Sequence, residues 1–260
     1  MNALTVSAAA LVAGFAAAAL PSASAAQEHS APRGGTVDAR GASSVVVSAR
    51  AGTLRVQGRT GITQVRVTGT ARSNRREWLE DIRLVTRREG GVVRVEVEIP
   101  DRTVRLGRVE QSLDLVVEVP AEMALDVTDS SGETEIRNVA SLTLEDSSGG
   151  VEIGDVAGAV RVEDSSGDVV IERVGGSVRL RDSSGDLRVS EVRGGVTVDD
   201  DGSGDIEVAG VGGDVLVRED GSGGIRVDRV GGSFTVERDG SGGIRSARVT
   251  GTVRVPRRGR

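Results

Sequence analysis

The 260-residue sequence has no cysteine, lysine or tyrosine, and His29 is its one histidine. Its aromatic residues are Phe15, Trp78 and Phe234. Each absence removes a class of chemistry. Without cysteine there is no disulfide, thiolate nucleophile, thiolate zinc site or lipidated cysteine anchor. Without lysine there is no Schiff base and no P-loop lysine. A single histidine near the N-terminus builds neither a histidine-based triad nor a HExxH site. Three aromatics supply neither a base-stacking surface nor the girdles of a membrane barrel. The net charge is −6 and arginines alternate with acids, so nucleic acid is not an expected partner.

Glycine is what the chain has in excess: 37 residues, about twice the usual share of roughly 7%. Of these, 26 lie after residue 124, so the excess belongs to one part of the chain.

The N-terminus reads as an export signal. Leu4 to Leu20 is an unbroken run of small and apolar residues, ended by Pro21, and Ala23-Ser24-Ala25 offers a small-x-small cleavage pattern. The run is alanine-rich and marginal in length for a span, which favours a cleaved signal over 1–25 against a retained anchor. No second hydrophobic stretch follows, so no stable membrane span is expected after cleavage. The expected location is extracytoplasmic: periplasm, cell surface or secreted. Residues 26–35 are polar and are expected to form a disordered lead-in.

Internal repeats dominate the rest. Asp129, Asp146, Asp164 and Asp182 each begin the word Asp-Ser-Ser-Gly, and Asp201, Asp220 and Asp239 each begin Asp-Gly-Ser-Gly. Successive words are 17, 18, 18, 19, 19 and 19 residues apart. The lengthening has a local source, because Val198 stands three residues before Asp201 whereas Leu180 stands two before Asp182. A second word, such as Val174-Gly175-Gly176 or Val211-Gly212-Gly213, alternates with the first. Between the words lie short apolar–polar alternations such as Val160-Arg161-Val162 and Leu187-Arg188-Val189, the pattern of half-buried strands.

One unit is therefore strand, turn, strand, turn, with five inward apolar positions. Five such side chains do not offset the ordering entropy of about 18 residues at roughly 1.5 kcal/mol each, so a unit cannot fold alone. Stacked units bury each other's open edges. The predicted fold is all-β: a β-solenoid of single rungs, 18–19 residues each, right-handed by the crossover preference. Seven rungs at about 4.8 Å make a rod of roughly 34 Å. A hexapeptide helix fails at once, because Asp168 stands six residues after Val162. The calcium-binding nonapeptide roll has half this period. Glycine at both turn words is expected to supply positive φ.

The regular repeats are assigned to 125–255 and a basic tail to 256–260. Residues 36–124 are an irregular β region that begins or caps the stack, with strands at Leu54–Val56, Val65–Val67, Val92–Ile99 and Leu113–Val119. A short helix near 73–85, carrying Trp78, Leu79 and Ile82, is expected to be capped by Ser73 or Asn74. At the other end Ser246 replaces an apolar residue, and Pro256 with the arginine tail discourages end-to-end pairing. The same tail is suited to anionic glycans or lipid head groups.

Three patterns compete for a functional role. Stacking brings Asp129, Asp146, Asp164, Asp182, Asp201, Asp220 and Asp239 about 5 Å apart. That spacing suits cations or a glycosidase pair, but it holds at every rung and singles out no site. Asx turns, with each carboxylate accepting backbone N–H bonds, are the expected role. Asp199 to Ile206 resembles the first half of a calcium loop, yet position twelve is Gly210 where a bidentate acid is required. The outward residues Glu135, Glu152, Val170, Arg188, Glu207, Arg226 and Arg245 form a charged ladder, with Glu207 expected between Arg188 and Arg226. Thr143, Thr197 and Thr235 are too sporadic for an ice-binding ladder. No residue set is assigned a catalytic, cofactor-binding or metal-binding role.

The signal segment, the irregular region 36–124 and the Asp-Ser-Ser-Gly and Val-Gly-Gly rungs running to Val255 resemble a bacterial family of exported β-strand-repeat proteins called putative adhesins, of unknown function. The resemblance implies a β-solenoid and an envelope location, and it brings no catalytic residues. The expected function is a non-catalytic, adhesin-like scaffold binding a protein or other cell-envelope or surface partner. Two alternatives remain open: a solenoid polysaccharide lyase or hydrolase, and a calcium-stabilised structural repeat.

Overall fold

The computed structural model describes residues 28–100 and 110–256. The expected signal at 1–25 and residues 257–260 of the tail lie outside these. Two sheets of 11 strands face each other, and each rung contributes one strand to each sheet. Seven regular rungs run from Ala124–Asp129 with Thr134–Arg137 to Phe234–Ser241 with Ile244–Val249, and all pair in parallel with the rungs before and after. The chain is a β-solenoid.

Residue alternation accounts for the elements. In Val160–Asp164 the side chains of Val160, Val162 and Asp164 are buried while Arg161 is exposed. Valine, leucine and isoleucine fill the interior rung upon rung: Val151, Val169, Leu187, Ile206 and Ile225 occupy equivalent positions. β-Branched side chains suit this pleated, buried surface. Among the described residues Phe234 is the one aromatic in that core, aligned with Val215.

The period change is a β-bulge. Leu180 pairs with Val198, but Arg181 pairs with Asp200, so Asp199 is the added residue. The bulge restores inward parity, and Asp201 aligns with Asp182.

The N-terminal part is not stacked in chain order. Ser44–Ser48 and Leu54–Arg59 form a rung directly below Ala124–Asp129 and Thr134–Arg137. Val92–Glu98 and Gln111–Pro120 form the rung below that. Antiparallel strands then close the end: Gln64–Ser73 and His29–Asp38 on one sheet, Arg83–Glu89 on the other.

Residues 29–35, expected in a disordered lead-in, are thus seven of the ten residues of a paired strand, His29–Asp38. Ala31 and Val37 pack on the core, and Arg33 donates from Nε to Ile82 O at 2.8 Å. The expected helix is a single 3-10 stretch, Arg76–Asp81, and residues 83–85 are already strand. Its cap is also corrected. Arg75 occupies the N-cap with no side-chain bond to the helix, while Ser73 Oγ accepts from the Arg75 amide at 3.2 Å. Trp78, Leu79 and Ile82 are buried as expected, with the Arg75 guanidinium 4.8 Å from the Trp78 ring centre.

Candidate functional site

The seven aspartates do stack, but inside the rod. Asp129, Asp146, Asp164, Asp182, Asp201 and Asp220 are all at most 4% exposed, and only Asp239, on the last full rung, is half-buried. Each follows its strand's last inward apolar residue on the same side of the sheet. Backbone register sets Asp129 beside Asp146, Asp146 beside Asp164, and Asp182, Asp201, Asp220 and Asp239 in succession.

The expected Asx-turn role holds at part of the column. Asp129 accepts from Ser130 N at 2.8 Å, Asp164 from Ser165 N at 2.7 Å, and Asp182 from Ser184 N at 3.2 Å. It fails at Asp146, which serine follows, and where glycine follows the aspartate. At Asp201 the glycine amide turns to the rung below: Gly202 N donates to Asp182 O at 3.2 Å. Both carboxyl oxygens of Asp146, Asp201 and Asp220 are buried without a donor from backbone or neighbouring side chains.

Buried acceptors without donors are costly. A shared proton resolves the cost, because a protonated carboxyl donates to the next one in the stack. Burial first, and then the neighbouring Asp164 and Asp129, push Asp146 up to about 7. Burial, then Asp182 and Asp220, push Asp201 up to about 8. Asp182 rises to about 6 through burial and Asp164. Asp220 rises through burial and the neighbouring Asp239. Asp164 is also raised by burial, but the Ser165 and Ser166 amides and the neighbouring Asp146 oppose the rise. The further charges facing the column are Asp168, Asp200 and Asp205, which are carboxylates as well.

The lower end of the column has its own termination. Ala49 stands where the rung below would carry an aspartate, following Ser48, which pairs with Thr128. Thr134 replaces the valine, leucine or isoleucine of later rungs and is buried; its Oγ1 donates to Asp129 Oδ2 at 3.2 Å. Asp129, raised to about 6 by burial against these bonds, is therefore fully hydrogen-bonded. Sequence reasoning missed Thr134. Its signal was a polar residue in an inward register position.

The calcium-loop match disperses. Asp199 faces outward between Arg179 Nε at 2.5 Å and Arg218 Nε at 3.4 Å. Asp200 is exposed, Asp201 points inward, and Asp205 accepts from Gly224 N at 2.8 Å. Among the described residues, no three acidic or histidine side chains converge on a point that would hold a metal ion. The outer ladder also differs in detail. Glu207 reaches Arg226 at 4.0 Å, whereas Arg188 turns to Asp186 at 3.0 Å.

Glycine's role at the second turn word is corrected too. None of the glycines in Val174-Gly175-Gly176 or Val211-Gly212-Gly213 has positive φ. The left-handed residue is the one before the valine: Asn138, Asp155, Arg173, Glu191, Gly210, Arg229 and Arg248, at φ from 51° to 70°.

No family model matches the chain, and no curated protein matches it. Solved structures resemble it at low identity. One is titled a putative cell adhesion protein from Clostridium sporogenes: 12% identity, TM-score 0.38, covering 88% of this chain and 100% of that one. A putative adhesin from Bacteroides fragilis shows 12% identity and TM-score 0.43, covering 88% and 97%. A putative lipid binding protein from Parabacteroides distasonis shows 13% identity and TM-score 0.40, covering 87% and 97%. Among the described residues, no helix is long and apolar enough to cross a membrane.

Proposed function

We propose that this chain is a non-catalytic, exported β-solenoid scaffold whose flat outer faces hold a cell-envelope or surface partner. One observation carries the reading: the acids that would do chemistry point inward, and the residues that face outward form register-set ladders. Asp201 is 0% exposed, so a polysaccharide cannot reach the stacked carboxyls that a lyase or hydrolase would use. Outward, sheet faces present one side chain per rung at about 4.8 Å spacing. Arg188, Glu207, Arg226 and Arg245 lie in one such row, and no long loop interrupts it between residues 124 and 249. Extended, evenly spaced surfaces are what repeat proteins offer to partners.

Binding of the chain to envelope fragments tests this. Wild type is expected to be retained, and the face variant Arg188→Glu/Arg226→Glu is expected to lose retention without losing its fold. No retention, or retention unchanged in the face variant, contradicts the proposal. So does turnover of an acidic polysaccharide that Asp201→Asn abolishes.

A further inference from the structure

Charge is distributed along the sequence in three blocks. Residues 28–110 carry sixteen arginines and ten carboxylates, residues 111–223 eight and 26, and residues 224–260 nine and three. The blocks are thus +6, −18 and +6, in agreement with the net −6 of the chain. An acidic middle segment is flanked by two basic ones.

The two ends differ in covering. Antiparallel strands and the 3-10 stretch close the N-terminal end. At the C-terminal end the uppermost inward positions are Ile244, Ser246 and Val249 on one sheet side, and Val253, on the strand above Phe234, with Val255 just after it; among the described residues no further rung stacks on them. Val253 is 44% and Val255 42% exposed; Val116, the one other exposed large apolar residue among the described residues, lies on an outer sheet face far down the rod. Arginines rim this patch. Arg245 stands outward on one sheet and Arg254 on the other, and neither has a carboxylate partner among the described residues. Arg248, at the corner between them, is held by Asp228.

We infer that the open C-terminal end, with Val253 and Val255 rimmed by Arg245 and Arg254, docks end-on against an anionic phospholipid surface. This rests on the scaffold reading, to which it adds an anchoring point and a partner of stated chemistry. Basic residues flanking exposed apolar side chains match a surface of negative head groups over acyl chains. An acidic glycan would engage the arginines and leave the valines in water. A second copy docked on the same end would set Arg245 and Arg254 against their own counterparts.

The test is co-sedimentation of residues 26–260, which hold every strand of the fold, with vesicles of phosphatidylcholine alone or mixed roughly 3:1 with phosphatidylglycerol. The expected result is binding only to the mixed vesicles, weakened by salt. Arg245→Glu/Arg254→Glu is expected to weaken it about tenfold or more, and Val253→Ser/Val255→Ser to weaken it at unchanged charge. An unchanged melting temperature shows that the variants fold. Three results overturn the inference. One is no binding to the mixed vesicles. A second is binding that the valine pair does not affect and that soluble alginate matches, which indicates a glycan. The third is a self-associated species lost with the same variants. Envelope retention that depends on Arg188 and Arg226 while vesicle binding fails would remove this inference alone; loss of both would remove the scaffold reading.

Discussion

At the Asp-x-Ser-Gly corner the last glycine takes φ between 126° and 142°, and an added Cβ would strike the carbonyl of its counterpart one rung away. At the Val-x-Gly corner the glycines keep ordinary φ, and the final one is required only because the backbones of successive rungs nearly touch. The left-handed turn there falls one residue earlier, on side-chain-bearing residues at six of seven rungs. The first corner is fixed by conformation and contact together. The second is fixed by contact, and it carries backbone strain that nothing compels a glycine to relieve. The ten glycines of the first word and the nine of the second therefore carry unequal constraints.

Substitutions separate the two corners. Gly167 has φ 135°, and its Cβ would lie 1.7 Å from Gly149 O, so Gly167→Ala is expected to cost more than about 3 kcal/mol in denaturant unfolding. Gly176 is at ordinary φ with a Cβ 2.6 Å from the Gly158 carbonyl carbon. Gly176→Ala is expected to cost about 1–3 kcal/mol, and losses equal to those of Gly167→Ala would break the comparison. Glu191 sits at φ 56° with no ion pair among the described residues. Glu191→Gly removes a left-handed cost of about 1–2 kcal/mol and adds chain entropy worth about 0.5–1 kcal/mol. A gain of about 0.5 kcal/mol, or a melting temperature higher by about 1–2 °C, is expected. A loss would show that the corner is not strained.

The repeat, its period and the strand positions were legible because alternation and turn words recur at fixed spacing. The inward aspartates were legible in principle, since Asp164 stands two residues after Val162 and shares its face. They were obscured because aspartate before Ser-Ser-Gly also fits an Asx turn, which the chain does use at Asp164. The bulge at Asp199 was visible as one extra residue, but its purpose, keeping Asp201 inward, needed the neighbouring rung. The order of the N-terminal rungs was not legible. Ser44–Ser48 lies between Val92–Glu98 and Ala124–Asp129, a non-local placement that no local pattern encodes. His29–Asp38 has only Ala31 and Val37 to mark it as a strand.

Stacked, buried carboxyls without other donors require protons shared along the aspartate column. Thermal unfolding from about pH 5 to about pH 8.5 tests this most directly. The ordinary aspartate value is 3.8, and Asp146 and Asp201 are raised to about 7 and about 8 in the fold. Between those values the native chain binds more protons than the unfolded chain, so stability is greatest at the acid side and falls as pH rises. The arginine-paired acids such as Asp38, lowered to about 2 with Arg40 beside it, act in the opposite sense but only below the ordinary carboxylate range. The predicted result is a melting temperature that falls steadily across the interval, with Asp201→Asn raising it at the alkaline end and flattening the slope there. A melting temperature that is flat or rises with pH, or an Asp201→Asn chain less stable at about pH 8.5 than wild type, would contradict the shared-proton column.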